Sequence, residues 1–242
     1  MTGSTCDFLP WDSQFFNARI ARVRGGVLTP ALLASAEAWC RNERIDCLYF
    51  LSDRVDDAAG AWLEGAGFVH VDTRVTLAAS LAPVPAASVG GVRQANDDDI
   101  PGLREIAAAT HHATRFYADR RLAAAADAMY AFWIENSVKD PSIHVLVPDA
   151  SPVSGYITCY EAQVGSGQIG LLGVAAAARG RGHAGRLVGA ALEWMIERGM
   201  TTATVVTQGR NEAARRVYER CGFAPSLEQR WYHRWFTPGR SQ

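Results

Sequence analysis

At 242 residues the chain is long enough for one large domain or two small ones. Hydrophobic residues at 48% and charged residues at 20% are ordinary globular composition, which excludes a disordered or fibrous protein. Lys plus Arg total 24 against 25 Asp plus Glu, a formal net charge of -1, so no global field draws the chain to nucleic acid or an anionic membrane and any anion site must be local. No apolar run approaches the ~20 residues that span a bilayer, and Met1 to Asp7 carries no basic segment followed by an apolar stretch. The expectation is a cytoplasmic protein with no membrane and no nucleic-acid partner. Cys6, Cys40, Cys47, Cys159 and Cys221 are odd in number and lack CxxC spacing. That suits neither a disulfide framework nor a zinc site; no metal is expected, and packing is favoured over a nucleophilic thiol.

In chain order, Trp11-Asp12-Ser13 with Phe15 and Phe16 reads as an anchor for the first strand against its own half-domain. Cys47 to Leu51 and Val69 to Leu77 are strand-like, with Trp62-Leu63-Glu64-Gly65-Ala66-Gly67-Phe68 between them. Ala78 to Gly91 reads AASLAPVPAASVGG, rich in small residues, Pro and Gly and without charge. This predicts a linker over 78–91 between an amino-terminal domain, 1–77, and a carboxy-terminal domain, 92–242. In the latter, Asp97-Asp98-Asp99 before Ile100-Pro101 is a helix start, because acidic residues suit the positive end of the helix dipole, and the helix runs to about Ala109. Ala126, Met129, Tyr130, Trp133 and Ser137 at helical spacing place a second helix over Ala123 to Ser137. His144 to Val147, Val153 to Tyr160 and Gln168 to Val174 form a β-meander. A helix carrying Leu187, Val188, Ala191, Leu192, Met195 and Ile196 on one face comes next, ended by Gly199. The strand Thr202 to Thr207 leads to a last helix capped by Asn211, and Glu228 to Phe236 is strand-like. The order αα-βββ-α-β-α-β describes a mixed α/β sheet rather than a βαβ barrel. Tyr218-Glu219-Arg220-Cys221-Gly222-Phe223 echoes the Trp62 to Phe68 segment at similar spacing, which suggests a degenerate internal repeat.

Arg179-Gly180-Arg181-Gly182-His183-Ala184-Gly185 lies between a strand and a helix. Glycines there let successive N–H groups point outward, and the helix start adds partial positive charge; together they can cradle a diphosphate, with charge from Arg179 and Arg181. No Gly-Lys-Ser or Gly-Lys-Thr comes after it, so it is not a Walker loop, and it is not read as the GxGxxG of a βαβ dinucleotide-binding unit. On the glycines alone, a flexible basic turn is an equal reading.

The loop resembles the R-x-x-G-x-A pyrophosphate signature of the GNAT acetyltransferases, and Asn211-x-x-Ala214-x-x-x-Tyr218-x-x-x-Gly222-Phe223 resembles a second segment of that family at the expected distance. The resemblance implies an acyl-CoA N-acyltransferase fold with a smaller degenerate half at the amino terminus, and acetyl-CoA as co-substrate. It implies that acetyl-CoA lies in a V-shaped split between the strand ending at Val174 and the strand Thr202 to Thr207. The backbone of Leu172, Gly173 and Val174 would pair with the pantetheine arm, with the pyrophosphate on residues Arg179 to Gly185. Asn211 would hold the pantetheine, a role compatible with simple helix capping. Tyr218 would protonate the departing sulfur, and the Val174 N–H would take the oxyanion; a Tyr on a buried stripe can also be core. Glu161 and His183 are candidate bases by residue type alone, with bulk water as the alternative. Gly25-Gly26 lacks a following helix start, so one acetyl-CoA site per chain is expected.

Leu9 to Phe16, Thr114 to Asp119 with Tyr130 to Ser137, and Trp231-Tyr232-His233-Arg234 look like the TDP-fucosamine acetyltransferases within that superfamily. The resemblance spans nearly the whole chain, in segments less specific than the cofactor loop. It implies acetylation of the 4-amino group of a nucleotide-linked 4-amino-4,6-dideoxyhexose by direct attack in a ternary complex. Arg115 could pair with the nucleotide diphosphate and Phe116 or Tyr117 stack on a base or sugar, with packing an equal reading. Tyr130 and Trp133 read as core. Another small amine or a protein amino group, or a non-catalytic acetyl-CoA-binding module, are the competing functions, and a homodimer is one assembly compatible with the sequence.

Overall fold

The computed structural model describes residues 4–81 and 90–236. The elements in chain order are β1 (Cys6–Phe8), α1 (Pro10–Phe15), β2 (Ile20–Val23), α2 (Pro30–Asn42), β3 (Cys47–Ser52), α3 (Asp57–Gly65), β4 (Val69–Ser80), β5 (Val92–Gln94), α4 (Ile100–Ala108), α5 (Arg115–Ala118), α6 (Arg120–Lys139), β6 (His144–Pro148), β7 (Gly155–Gln163), β8 (Ser166–Val174), α7 (His183–Glu197), β9 (Thr202–Gln208), α8 (Glu212–Arg220) and β10 (Ala224–Trp235). This is a mixed α/β fold. It adds the helices α1, α2 and α3, the short strand β5 and the one-turn helix α5 to the elements that the sequence predicts; β5 and α5 are too short to show a repeat. Asn96 opens the acidic turn Asp97–Asp99 with a capping box closed by Asp99.

Two compact units divide the chain. The first gathers the chain up to Arg74, then Thr114–Ala125 and the segment from Glu228; the second holds Val75–Ala113 and Ala126–Leu227. The units are therefore not the contiguous blocks 1–77 and 92–242. The reason is strand placement. β10 closes the last helical unit in sequence, yet it pairs antiparallel with β3, from Arg230↔Ser52 to Trp235↔Cys47. The Val75 to Ser80 part of β4 belongs to the second unit, and β4 borders β9. Ala78 to Ser80 of the expected linker are thus strand, and its residues 82–89 lie outside the described residues.

In the first unit the sheet order is β1-β2-β3-β10, with β2 and β3 parallel. Leu48, Phe50, Leu63, Phe68 and Tyr232 form its core against Ala36 and Cys40 of α2. Ser13 Oγ accepts the Ile20 N–H at 2.9 Å and so ties α1 to the start of β2.

In the second unit β8 runs parallel to β9 and antiparallel to β7, and the meander continues through β6 to β5. Leu187, Val188, Ala191 and Met195 form the buried stripe of α7 and pack with Ile157 of β7 and Val205 of β9. Gly199, in the left-handed region at φ +73°, ends the helix.

The order β2-α2-β3-α3-β4 recurs as β8-α7-β9-α8-β10. Helices α3 and α8 are nine residues each, and β4 and β10 twelve. Both helices start on a side-chain cap, Asp56 taking the Ala59 N–H and Asn211 the Ala214 N–H. Both are followed by a glycine with positive φ, Gly67 and Gly222. The sequence echo around Trp62 and Tyr218 marks these matching helix ends.

Candidate active site

The β8–β9 ladder runs from Ser166↔Thr202 to Ile169↔Val205, whereas β8 keeps its β7 partners to Gly155↔Val174. Leu172, Gly173 and Val174 therefore lie past the last β9 pair, and the two parallel strands part. A β-bulge sits where they part: Cys159 faces Ile169 and Ile157 faces Leu172, so Thr158 alone opposes both Gly170 and Leu171. An extra residue bends its strand and re-aims the residues beyond it. The bulge is locked by the buried Thr158, whose Oγ1 accepts the Leu171 N–H at 2.8 Å. A Cβ on Gly170 would come within 2.7 Å of that oxygen, so the position needs glycine.

Past the bulge, the Ala175 N–H donates to Ser154 O at 2.9 Å. Successive N–H groups of a strand point to opposite sides, so the Val174 N–H is turned away from β7, toward the side that β9 has left. Arg179 Nε donates to Val174 O at 3.2 Å on that same side. Ser154 Oγ, opposite Ala175, is buried with no hydrogen-bond partner among the described residues. The strand end thus turns the Val174 N–H toward the space between β8 and β9.

Gly180 and Gly182 both adopt left-handed φ, +76° and +79°, which side chains other than glycine rarely take. Gly182 is the N-cap of α7 and brings no side chain to it; the first intrahelical bond is Arg186 N–H to Gly182 O at 3.1 Å. The N–H groups of Gly182, His183, Ala184 and Gly185 hence have no acceptor within the helix, at its positive end. Arg179 and Arg181 are exposed beside them, and His183 Nδ1 lies 3.2 Å from Arg186 Nη2. Such an arrangement suits a diphosphate.

Asn211 Oδ1 accepts the Ala214 N–H at 3.2 Å and starts α8. Tyr218, on the inner stripe of that helix, is buried in the α7 core cluster, edge-on to Phe223 at 5.7 Å between ring centroids. Burial pushes its hydroxyl well up, so it stays protonated at neutral pH. Glu161 lies at the other end of β7 from Gly155, where its Oε1 accepts the Gly165 N–H and shapes the β7–β8 turn. Several residues of strand, ~3.3 Å each, separate it from the split, which removes it as a base there.

In the first unit the Arg115 guanidinium lies over three rings, Phe116 at 4.2 Å, Trp231 at 4.4 Å and Tyr49 at 4.5 Å. Its Nη1 donates to His233 Nε2 at 3.2 Å, so the imidazole proton is on Nδ1, which donates to Asp119 Oδ2 at 2.7 Å. Trp235 Nε1 donates to the same oxygen. Burial alone would raise the Asp119 carboxyl, but these two hydrogen bonds outweigh it and hold it below the ordinary carboxylate range. Burial drives the His233 imidazole down to about 4. Cys47 Sγ completes a buried group with Asp119 and His233, within 4.8 Å of one another. Phe116 is buried and stacked on Phe16, while Arg115 and Tyr117 keep part of their surface. Here too β2 and β3 part after Arg22↔Tyr49. That opening is closed: Asp53 N–H donates to Gly26 O at 2.8 Å, and the Asp53 carboxylate fills the space a Cβ on Gly26 would take.

Periodicity missed His111, just after α4. Its Nε2 lies 2.7 Å from Tyr156 Oη, and its ring stacks on the buried Tyr130 at 4.4 Å. Trp133 stacks on Tyr130 at 6.0 Å but is exposed, so of the two residues expected in the core only Tyr130 is buried there. A histidine in a helix break carries no periodic signal, whereas Gly170 and Gly173 inside an apolar strand were visible hints of a bulge and a close approach.

A model of the acetyltransferase (GNAT) family matches residues 103–223, which contain the parted strands, the glycine loop and α8. The chain is 32% identical to the dTDP-fucosamine acetyltransferase of Escherichia coli O6:H1 over 229 residues, 93% of this chain and 96% of that protein. Among solved structures, a GCN5-related N-acetyltransferase from Sphaerobacter thermophilus superposes with a TM-score of 0.65 at 19% identity, covering 98% of this chain and 78% of that one. Another from Kribbella flavida gives 0.59 at 17% identity, over 92% and 82%. At such identities the two structures speak for the fold alone.

Proposed function

Because the chain belongs to the acetyltransferase (GNAT) family, and is thus an acetyl-CoA-dependent N-acetyltransferase, we propose that its acceptor is the 4-amino group of a TDP-linked 4-amino-4,6-dideoxy sugar. The observation that carries the chemistry is the parting of β8 from β9, with the Val174 N–H turned outward and the unpaired amides of residues 182–185 at the start of α7. The sugar reading is supported by the near full-length similarity to the E. coli dTDP-fucosamine acetyltransferase.

The residues present fit acetyl-CoA, which supplies an activated acetyl group. The Leu172, Gly173 and Val174 backbone and Asn211 would hold the pantetheine arm; Arg179, Gly180, Arg181, Gly182, His183, Ala184 and Gly185 would hold the pyrophosphate. The Val174 N–H donates to the acyl oxygen as charge builds there. The Tyr218 hydroxyl, kept protonated by burial, gives its proton to the departing sulfur. Arg115 and Tyr117 would meet the nucleotide sugar, with Phe116 packed behind them. The amine would attack directly in a ternary complex, and four of the five thiols, at Cys6, Cys40, Cys47 and Cys159, are buried.

Release of the CoA thiol, followed across TDP- and UDP-amino sugars and peptides, tests the substrate. Turnover confined to peptides would defeat it. Tyr218→Phe is expected to lower kcat by about 10²-fold, in the range of general-acid contributions, while acetyl-CoA affinity by calorimetry stays unchanged. Equal turnover by variant and parent would remove Tyr218 from the mechanism.

A further inference from the structure

The amine must shed a proton as it attacks; Glu161 lies at the far end of β7, and His183, half-buried at the start of α7, has its Nδ1 beside Arg186. Tyr156, fully buried, lies next to the parted strands. It stands on β7 directly opposite Gly173, one residue before Val174. Its ring covers that glycine so closely that a Cβ there would meet ring carbons at 2.6 and 2.9 Å and the hydroxyl at 3.1 Å.

The face matters as much as the distance. Ile157 and Cys159, on either side of Thr158, point into the core cluster of α7 that also contains Tyr218. Alternation then turns Tyr156 to the opposite face of the sheet, where its hydroxyl meets His111 at 2.7 Å. A proton donor for the leaving sulfur thus lies on one face, and a hydroxyl–imidazole pair on the other. Acyl transfer uses two such groups, because the tetrahedral adduct loses a proton from nitrogen and gains one at sulfur.

Resting on the acetyltransferase reading above, we propose that Tyr156 and His111 are the proton-accepting pair for the acceptor amine: Tyr156 Oη takes the proton and passes its own to His111 Nε2. Protons and bonds balance. The nitrogen forms its bond to the acetyl carbon and loses one proton to Tyr156; the carbon–sulfur bond breaks and the sulfur gains one proton from Tyr218; His111 releases its extra proton to water and Tyr218 recovers one. Burial and the neighbouring His112 push the His111 imidazole down to about 4, so it is neutral and able to accept at neutral pH and does not retain the proton afterwards. Burial raises the Tyr156 hydroxyl, which keeps its proton available for the relay. His111 is part-exposed, which gives that proton a way out, and Tyr130 holds the ring from beneath. Tyr156 is the group that would touch the amine; His111 acts through it and is a positioning and relay residue.

The test uses the full chain with the best amino-sugar acceptor, comparing parent, Tyr156→Phe, His111→Gln and the double variant. Each single variant is expected to lose about 10²-fold in kcat, as general-base groups do, with the sugar KM and the acetyl-CoA affinity by calorimetry little changed. The double variant is expected to be no worse than either single one, because the two groups act as one unit. Parent-like kcat in Tyr156→Phe, or losses that multiply in the double variant, would overturn the pair. Tyr156→Phe removes a single oxygen and keeps the ring over Gly173, so it tests the pair even if His111→Gln folds poorly. A parent that acetylates no amine at all would sink the acetyltransferase reading itself and the pair with it; a working parent with indifferent variants sinks the pair alone.

Discussion

Gly182→Ala isolates the backbone contribution to cofactor binding. Gly182 has φ +79° and ψ 3°, and no heavy atom lies within 4 Å of the Cβ that alanine would add. The substitution therefore introduces no clash; its whole effect is the cost of holding an L-residue in the left-handed region, about 1–2 kcal/mol. In the free protein the loop relieves that cost by rotating away, which turns the amides of residues 182–185 from their common direction. Binding must restore it, so acetyl-CoA affinity should fall by about 5- to 30-fold, the equivalent of that strain. Gly180→Ala, at φ +76° and also in open space, should act alike. Gly165→Ala is the control: its φ is +76° with the same open surroundings, but it lies in the β7–β8 turn. It should lower the melting temperature and leave affinity unchanged. The assay is titration calorimetry with acetyl-CoA on folded protein. Gly182→Ala binding as tightly as the parent would refute the claim that outward amides in this bend hold the coenzyme.

Thr158→Val should leave the Leu171 N–H buried and unpaired at the bulge, a loss of about 1–3 kcal/mol read by urea unfolding, with weaker acetyl-CoA binding as the split closes. Unchanged stability would mean that the bulge does not depend on that hydroxyl. The two imidazoles held near 4, His111 and His233, make stability depend on pH. Their unfolded values lie near 6.5, so the unfolded chain takes up protons first as pH falls. Their contribution is complete above about pH 6.5 and is lost toward pH 4, with a slope of about 1.4 kcal/mol per pH unit for each. Urea midpoints that stay level across that window would contradict the buried neutral state of both.

Much of the carboxy-terminal half was legible because its signals are local. Leu187, Val188, Ala191 and Met195 announce a helix by spacing, Gly199 its end, and Asn211 the next start. The loop from Arg179 to Gly185 is likewise readable, since left-handed glycines and an uncapped helix start are properties of a few consecutive residues. The same holds for the echo between Trp62 and Tyr218, which marks the ends of α3 and α8. Local spacing thus gives the helices of the carboxy-terminal half, the glycine-rich bend before α7 and the echo between the two halves. Every pairing between distant residues needed the tertiary structure. That β10 lies beside β3 is a choice among partners far apart in the chain, as Arg230↔Ser52 and Trp235↔Cys47 illustrate, and strand order is not written in any one strand. Of its three rings, Arg115 stands in sequence beside Phe116 alone, and only folding brings Tyr49 and Trp231 under its guanidinium and His233 to its Nη1. His111 has no pattern of its own and gains meaning only when β7 brings Tyr156 to it across 45 residues. Periodicity reports which face of an element is buried; which groups meet on that face is set by packing, and packing is decided by the whole chain at once.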